Sequence, residues 1–422
     1  MEQNPSRLTT MEQHHRWSSL PDDIVFKIIS HLDLPIDFVI TISTSIFSIN
    51  ELYTSNRTAY NVNEPYCWTV FDNLFTLFAT PLIDTFYLNL RASFYEQPLC
   101  CPIIDTWARR LSSCNIRHFT VNNFGGFGLC DLVFPPRIFQ MHSLVSLKLY
   151  FYFKEISWSD KLSMILLPNL KKLILVSSND GLLEELISRC PSLEDLTLTL
   201  IRLSRDPQKN SISITSKKLK RLYINQRYRS SSIFKVILDA PILEHYRYVV
   251  GSILSMQMLD SILNVKSLAL LRTEDYCPLK FYNSPKKTVF PNLSHLTLSL
   301  PFEVYQKIFD EQFLCCPNLK VLKLHLSGHT NMILNEDVKF VLVEQVKRLE
   351  MYMNDYRFSK QTVNLVTWLL RSAKVLEKLV LSSHGPFYYD KSAKSQFYQN
   401  LFECVESTSR CQIEFLGDYK LD

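Results

Sequence analysis

Glycine is scarce, at 8 residues in a chain of 422. Dinucleotide and phosphate loops need several glycines for tight turns and close phosphate approach, so enzymes of those kinds are disfavoured. The one glycine cluster, Gly125-Gly126-Phe127-Gly128, lacks the Lys-Ser/Thr of a phosphate loop and reads as an ordinary loop. No Cys-x-x-Cys pair occurs among the 11 cysteines, and two doublets, Cys100–Cys101 and Cys315–Cys316, stand out. An odd cysteine count without such spacing fits a reducing compartment, so cytoplasm and/or nucleus is the expected location. No signal-peptide pattern opens the chain, and no apolar run reaches the roughly 18 residues that span a bilayer. Phe38 to Phe47 is apolar-rich but short and broken by Thr and Ser. No membrane partner is expected. Charge of one sign is not in large excess either: the net charge is +5, with bases and acids interspersed. No nucleic acid partner is expected.

Chemistry-bearing motifs are missing as well. Neither Gly-x-Ser-x-Gly nor His-Glu-x-x-His occurs. His118, His245, His295 and His325 come from separate segments, whereas zinc ligands usually form tight local pairs. His14 and His15 lie in a head expected to be disordered. Cys190 and Cys316 are placed like buried structural residues rather than activated thiols. No catalytic residue, metal site or cofactor is expected, and the chain reads as a non-enzyme.

What the sequence has is repetition. Apolar residues make up 46% and charged residues 21%, a globular composition on a chain too long for one ordinary core. Pro168-Asn169-Leu170-Lys171-Lys172-Leu173-Ile174-Leu175 recurs from Pro191, from Pro291 and from Pro317. The shared core is L-x-x-L-x-L. Looser copies start at Ile83, Ile116, Leu144, Leu219, Leu243, Val265, Val346 and Leu376, and those at Ile83, Val265 and Val346 are weak. From Ile116 onward, successive copies begin 22 to 30 residues apart. Leucine-rich repeats run about 20–29 residues. The last two leucines of each copy alternate with outward positions, the mark of a half-buried strand, while the first packs beneath the strand from the preceding turn. Between copies, Gly181 to Ser188 places Leu182, Leu183, Leu186 and Ile187 on one helical face. The Cys190-Pro191 and Cys316-Pro317 steps then end the helix, because the residue before proline is pushed out of the α region.

The expected fold is an α/β leucine-rich-repeat solenoid with a parallel sheet on its concave face and helices on its convex face. A generic α/β sheet is the alternative, but it would not repeat Pro-Asn-Leu so literally. On the concave face the outward positions collect His118, Tyr150, Lys172, Asp195, Arg221, Tyr223, His245, Arg247, His295, Lys323, His325, Arg348 and Tyr352. From this basic and aromatic stripe, a type enriched in binding hot spots, the expected target-binding residues are Tyr150, Lys172, Arg221, Tyr223, His245, Arg247, His295, Lys323, His325, Arg348 and Tyr352. A merely solvated sheet face is the bland reading of the same positions.

Ahead of the repeats, Leu20-Pro21-Asp22-Asp23-Ile24 opens a helix. Pro21 suits the first helical position and the two aspartates complement the helix start. Ile24, Ile28, Ile29 and Leu32 form an apolar stripe. A second helix is expected within Ile36 to Phe47. So small a hairpin cannot build its own core, and its stripe implies a partner. Leu20-Pro21-Asp22-Asp23-Ile24-x-x-x-Ile28-Ile29-x-x-Leu32 resembles the opening of an F-box. Together with the repeats, and with Ala373 to Leu381 and Cys411 to Phe415 in the tail, the chain resembles the plant F-box/FBD/LRR-repeat family.

That resemblance implies a small all-α F-box-like segment and a substrate receptor of an SCF-type ubiquitin ligase. The F-box would bind a Skp-type adaptor, and through it a cullin–RING ligase, by Leu20, Pro21, Ile24, Ile28, Ile29 and Leu32. The repeats would bind an unknown target protein. The expected layout is a disordered head at 1–16, the F-box-like segment at 17–50 and a connecting segment at 51–80. Leucine-rich repeats follow at 81–344, then an FBD-like region at 345–422 that continues the solenoid. One departure bears on coupling to the ligase: Asn50 and Glu51 stand where an F-box usually has Arg and Trp. The alternative is therefore a stand-alone repeat scaffold with a degenerate F-box. A third reading, a small-molecule receptor, has no readable pocket motif.

Overall fold

The computed structural model describes residues 38–44, 83–90, 109, 112, 115–123, 136–153, 165–177, 182–200, 211–226, 235–250, 261–272, 288–301, 314–327, 344–353, 366, 369–370, 373–383, 399 and 411–416. The chain divides into two compact units, Met1–Leu193 and Glu194–Asp422.

In the first unit, five strands lie side by side in chain order: β1 (Phe38–Thr44), β2 (Ile83–Leu90), β3 (His118–Asn123), β4 (Ser146–Phe153) and β5 (Lys172–Ser177). β2 to β5 are mutually parallel. Their register lines up Phe86, Phe119, Leu147 and Leu173 in one row and Val121, Leu149 and Leu175 in the next. All seven are buried. Phe86 and Phe119 take the places of leucines, and their rings stack with centroids 5.3 Å apart. The weak copy at Ile83 thus forms a full strand.

The second helix expected within Ile36 to Phe47 is not there. Phe38–Thr44 is instead β1, antiparallel to β2, with Phe38 opposite Leu90 and Ile42 opposite Phe86. Val39, Ile40, Thr41, Ile42 and Thr44 are β-branched, stiff at χ1 and suited to extended backbone. That local preference, paired with an otherwise open sheet edge, outweighs the helical reading. The adaptor positions Leu20, Pro21, Ile24, Ile28, Ile29 and Leu32, the Asn50–Glu51 pair and the Gly125–Gly128 cluster lie outside the described residues.

Helices are fewer than one per repeat among the described residues. α1 (Leu182–Ser188) is one of them, and a short 3-10 turn (Pro136–Gln140) stands two repeats earlier in the same role. α1 buries Leu183, Leu186 and Ile187. Glu184 and Glu185 occupy its first turn, where the helix dipole favours acids. It ends at Cys190-Pro191, where the Cys190 N–H donates to Ile187 O at 3.0 Å. The Cys190 thiol is buried and points back at Leu186 O, 3.2 Å away, and burial pushes its pKa up to about 12. Burial does the same at Cys316, also to about 12, with Cys315 adding to the effect. Neither is a reactive thiolate at neutral pH.

The second unit contains β6 (Asp195–Leu200), β7 (Ser211–Thr215), β8 (Arg221–Gln226), β9 (Lys235–Asp239), β10 (His245–Val250), β11 (Ser267–Arg272), β12 (Thr288–Val289), β13 (His295–Pro301), β14 (Leu314–Cys315), β15 (Val321–Ser327), β16 (Arg348–Met353), β17 (Lys378–Ser383) and β18 (Gln412–Leu416). Its main sheet runs β6-β8-β10-β11-β13-β15-β16-β17-β18, all parallel. In two connections where helices were expected, short parallel pairs stand instead: β7 with β9, and β12 with β14. Ser211-Ile212-Ser213-Ile214 explains the first. Its period-two pattern buries Ile212 and Ile214 and cannot form a helical stripe.

The core rows follow from the register. Leu196, Leu222, Tyr246, Leu268, Leu296, Leu322, Leu349 and Leu379 form one. Leu198, Ile224, Tyr248, Leu270, Leu298, Leu324, Met351 and Leu381 form the other. All are buried, and fully burying one such side chain is worth about 1.5–3 kcal/mol. The first leucines of the motif, Leu219, Leu293 and Leu319 among them, are wholly buried beneath the strands. The weak copies at Val265 and Val346 bury those valines completely too.

Two devices fix the register between repeats. In most repeats a turn carbonyl accepts two successive N–H groups from the next repeat: Lys220 O takes Glu244 and His245 at 2.9 and 3.0 Å, and Lys320 O takes Lys347 and Arg348 at 2.9 and 3.0 Å. The repeated asparagine is the second. Asn318 Nδ2 donates to Pro291 O at 2.7 Å, and in the first unit Asn169 Nδ2 donates to His142 O at 2.8 Å. In the copies at Pro168 and Pro317 the asparagine thus ties one turn to the turn before it.

Candidate functional site

The sheet face turned away from the leucine rows is where a solenoid of this class meets a partner. In the first unit it carries Tyr150 beside Asn122, and Lys172 beside Ser146. Lys148 is next in line, and burial, then the charge of Lys172, lowers its pKa.

The other nine expected target residues lie in the second unit, and the register sorts them into three ranks. Arg221, His245, Ser267, His295, Val321 and Arg348 form the first. Tyr223, Arg247, Ala269, Thr297, Lys323 and Glu350 form the second. Toward the end of the sheet, Ser299, His325, Tyr352 and Ser382 share the third.

These side chains are not equivalent. Arg221 Nε pairs with Asp195 at 3.2 Å. Lys323 Nζ, Arg348 Nε and the Tyr352 hydroxyl all converge on Glu350, at 2.8, 2.6 and 2.5 Å. Glu350 is only 4% exposed. Burial pushes its carboxyl up, but the hydrogen bonds from Lys323 and Tyr352 and the charges of Lys323 and Arg348 outweigh burial and hold it below the ordinary value. Tyr352, expected to be exposed, is buried. Its ring stacks on His325 with centroids 4.5 Å apart. Burial first, then Lys323 and Arg247, push the His325 imidazole down to about 4, so it is neutral at pH 7.

Glu350 was missed in the sequence. The signal was present: it lies two residues from both Arg348 and Tyr352, and alternate strand residues share a face. Beyond it, Val380 and Ser382 occupy outward positions yet are also buried.

The middle of the face is different. Arg247 is exposed, and its guanidinium lies over the Tyr223 ring, 5.0 Å from the centroid. It has no carboxylate partner among the described residues. His245 and His295 are exposed as well. His295 Nδ1 sits 2.8 Å from Ser294 Oγ. Its pKa is lowered by burial and then by Lys323, His245 and Lys320. Among the described residues no group of His, Cys, Asp and Glu could hold a metal ion, and no helix is long and apolar enough to cross a membrane.

A parallel sheet with its leucines in and a polar, aromatic face out defines a leucine-rich-repeat solenoid. Residues 104–257 match the family described as the LRR repeats of FBD-associated F-box protein At5g56370. The chain is 23% identical to putative F-box/FBD/LRR-repeat protein At5g25850 of Arabidopsis thaliana, over 89% of this chain and 92% of that one. It is 23% identical to F-box/FBD/LRR-repeat protein At5g22660 of the same plant, over 94% and 96%. It is 27% identical to FBD-associated F-box protein At5g60610, again of Arabidopsis thaliana, over 73% and 82%. Over most of its length the chain is thus similar to plant F-box/FBD/LRR-repeat proteins, and the family model covers its repeats from 104 to 257.

Proposed function

We propose that this protein is the substrate-recognition subunit of an SCF-type E3 ubiquitin ligase. Its F-box-like segment binds a Skp-type adaptor, and through it a cullin–RING ligase, while the repeats bind a target protein. The chain performs no catalytic step itself; it brings the target to the ligase. It works in the cytoplasm and/or nucleus. The observation that carries this reading is the likeness to F-box/FBD/LRR-repeat proteins over 89 to 94% of the chain, joined to an exposed Arg247–Tyr223 pair on the repeat sheet.

Affinity capture of the full chain with a Skp-type adaptor tests it. The adaptor is expected to co-purify, and Ile28→Asp with Ile29→Asp is expected to abolish the interaction by placing charges in an apolar contact. A chain whose repeats are folded but which recovers no adaptor sinks the reading.

A second reading, a stand-alone repeat scaffold, is favoured by two observations. Asn50 and Glu51 replace the usual Arg and Trp, and β1 pairs with the repeat sheet where a second F-box helix was expected. Restoring Asn50→Arg and Glu51→Trp discriminates: a gain of adaptor binding over a non-binding parent assigns the loss to those two positions.

A further inference from the structure

The middle strands of the second unit leave a gap in their own outer face. β10 presents Arg247 and β15 presents Lys323, both long and cationic. Between them β11 and β13 present only Ala269 and Thr297 in the same rank. Ala269 and Thr297 are part-exposed, so the floor of the gap is open. Three strand spacings separate Arg247 from Lys323, about 14 Å. The result is a trough running along the strands, wide enough for one extended chain.

Its charge along the strands is one-sided, and Glu244, in the turn before β10 and 4.0 Å from His245, is paired with Lys266 at 2.8 Å. The outward positions of β10, β11, β13 and β15 include Arg247, Lys323, His245, His295 and His325, and not one Asp or Glu. The nearest acid on this face, Glu350 on β16, is buried under Lys323, Arg348 and Tyr352 and turned to internal use. Lys323 is thereby partly neutralised. Arg247 is not: its guanidinium rests on Tyr223 and meets no carboxylate among the described residues. A guanidinium held over an aromatic ring is restrained, so less rotamer entropy is lost when an acid docks. Burial is the first cause of the lowered pKa values of His295 and His325; the charge of Lys323 on both, and of Arg247 on the second, adds to it, with Glu350 opposing.

We propose that the trough between Arg247 and Lys323 seats an extended acidic segment of the target protein, with a carboxylate of that segment on the Arg247 fork. This rests on the reading of the repeats as the target-binding part. It adds the chemistry of the partner and the residue that reads it.

The test uses the full chain and fluorescently labelled peptides of Ser-Gly-Glu repeats, with Ser-Gly-Gln, Ser-Gly-Lys and Ser-Gly-phosphoserine counterparts, followed by anisotropy at low and high salt. The Glu peptide is expected to bind about tenfold or more tightly than the Gln peptide at low salt, and to weaken as salt rises. Arg247→Ala is expected to erase that difference. Lys217→Ala, which removes the same charge from an exposed turn of the same unit, is expected to leave it within about twofold. Arg247 is exposed, so an unchanged melting curve confirms that the variant is folded. Equal binding of Glu and Gln peptides overturns the proposal, as does equal behaviour of the two Ala variants. A phosphoserine peptide bound about tenfold more tightly than the Glu peptide also overturns it and assigns the trough to a phosphorylated partner. Adaptor capture on the same preparation separates the two readings. Adaptor recovered without Glu preference removes the trough alone, and Glu preference without adaptor removes the ligase reading alone.

Discussion

Two stretches of one sheet face in the second unit handle charge in opposite ways. On β8 and β10, Arg247 stands in solvent on Tyr223 and points at nothing acidic among the described residues. On β15 and β16, Lys323, Arg348 and Tyr352 close around Glu350, which is buried. Both stretches have the same backbone, the same register and the same outward parity. The difference is one residue. A glutamate in the second rank turns a basic stripe into an internal network, and its absence leaves the stripe exposed. A basic-aromatic stripe is therefore a poor guide to binding until every acid of the same parity has been placed.

The largest effect is expected from breaking the closed stretch. Replacing Lys323 and Arg348 together by Met leaves Glu350 buried with only the Tyr352 hydroxyl. Stranding a buried charge typically costs about 3–5 kcal/mol. Urea denaturation at pH 7 is expected to show a loss of that order. The sign of the pH dependence is expected to reverse as well. In the natural protein the Glu350 carboxyl lies below its unfolded value, about 4.3. Its contribution is complete above that value and is lost as pH falls through the folded pKa. In the double variant the folded pKa rises above the unfolded one, so stability is highest in acid and is lost as pH rises between the two. A variant no less stable than its parent at pH 7 would show that the network is dispensable.

His325 supplies the next effect. Its imidazole is ordinary at 6.5 when unfolded and is pushed down to about 4 in the fold, by burial and then by Lys323 and Arg247, with Glu350 opposing. In that window the unfolded chain binds a proton that the folded chain refuses. Stability is therefore expected to be full above about pH 6.5 and to fall as pH drops toward about 4. His325→Phe keeps the stack on Tyr352 and removes the proton. It is expected to flatten that slope, measured as the denaturation midpoint against pH. An unchanged slope would place the titration elsewhere.

Most of this sheet was legible because its chemistry is periodic. Leucines two apart, behind a buried leucine in the turn, define a strand whatever lies between copies. Even the weak copies at Ile83, Val265 and Val346 are complete strands. The connections were less legible. Leu182–Ser188 had a clear helical stripe, whereas Ser211–Thr215 alternates and pairs as a strand. β1 was misread because a short apolar run is compatible with helix or strand, and β-branching was not weighed against it. At the face, strand parity identified the outward residues, but only the register showed which neighbours they meet. Arg348 and Arg247 look alike in the sequence, and Glu350, two residues along the same strand from Arg348 with no counterpart beside Arg247, is what distinguishes them.

The smallest effect tests whether the open stretch is built for a partner rather than for stability. Tyr223→Leu keeps an apolar side chain under Arg247 and removes the ring face. An exposed cation–π contact is worth about 0.5–1 kcal/mol, so the melting temperature is expected to move little, far less than for the Glu350 network. Binding of the acidic peptide is expected to weaken by a few-fold, because the Arg247 fork must then be ordered at the moment of docking. The two readouts separate the roles. A fold that loses as much stability from Tyr223→Leu as from the Lys323/Arg348 double change would make the Tyr223–Arg247 pair a structural element like its neighbour. The contrast between the two stretches would then be one of exposure and not of purpose.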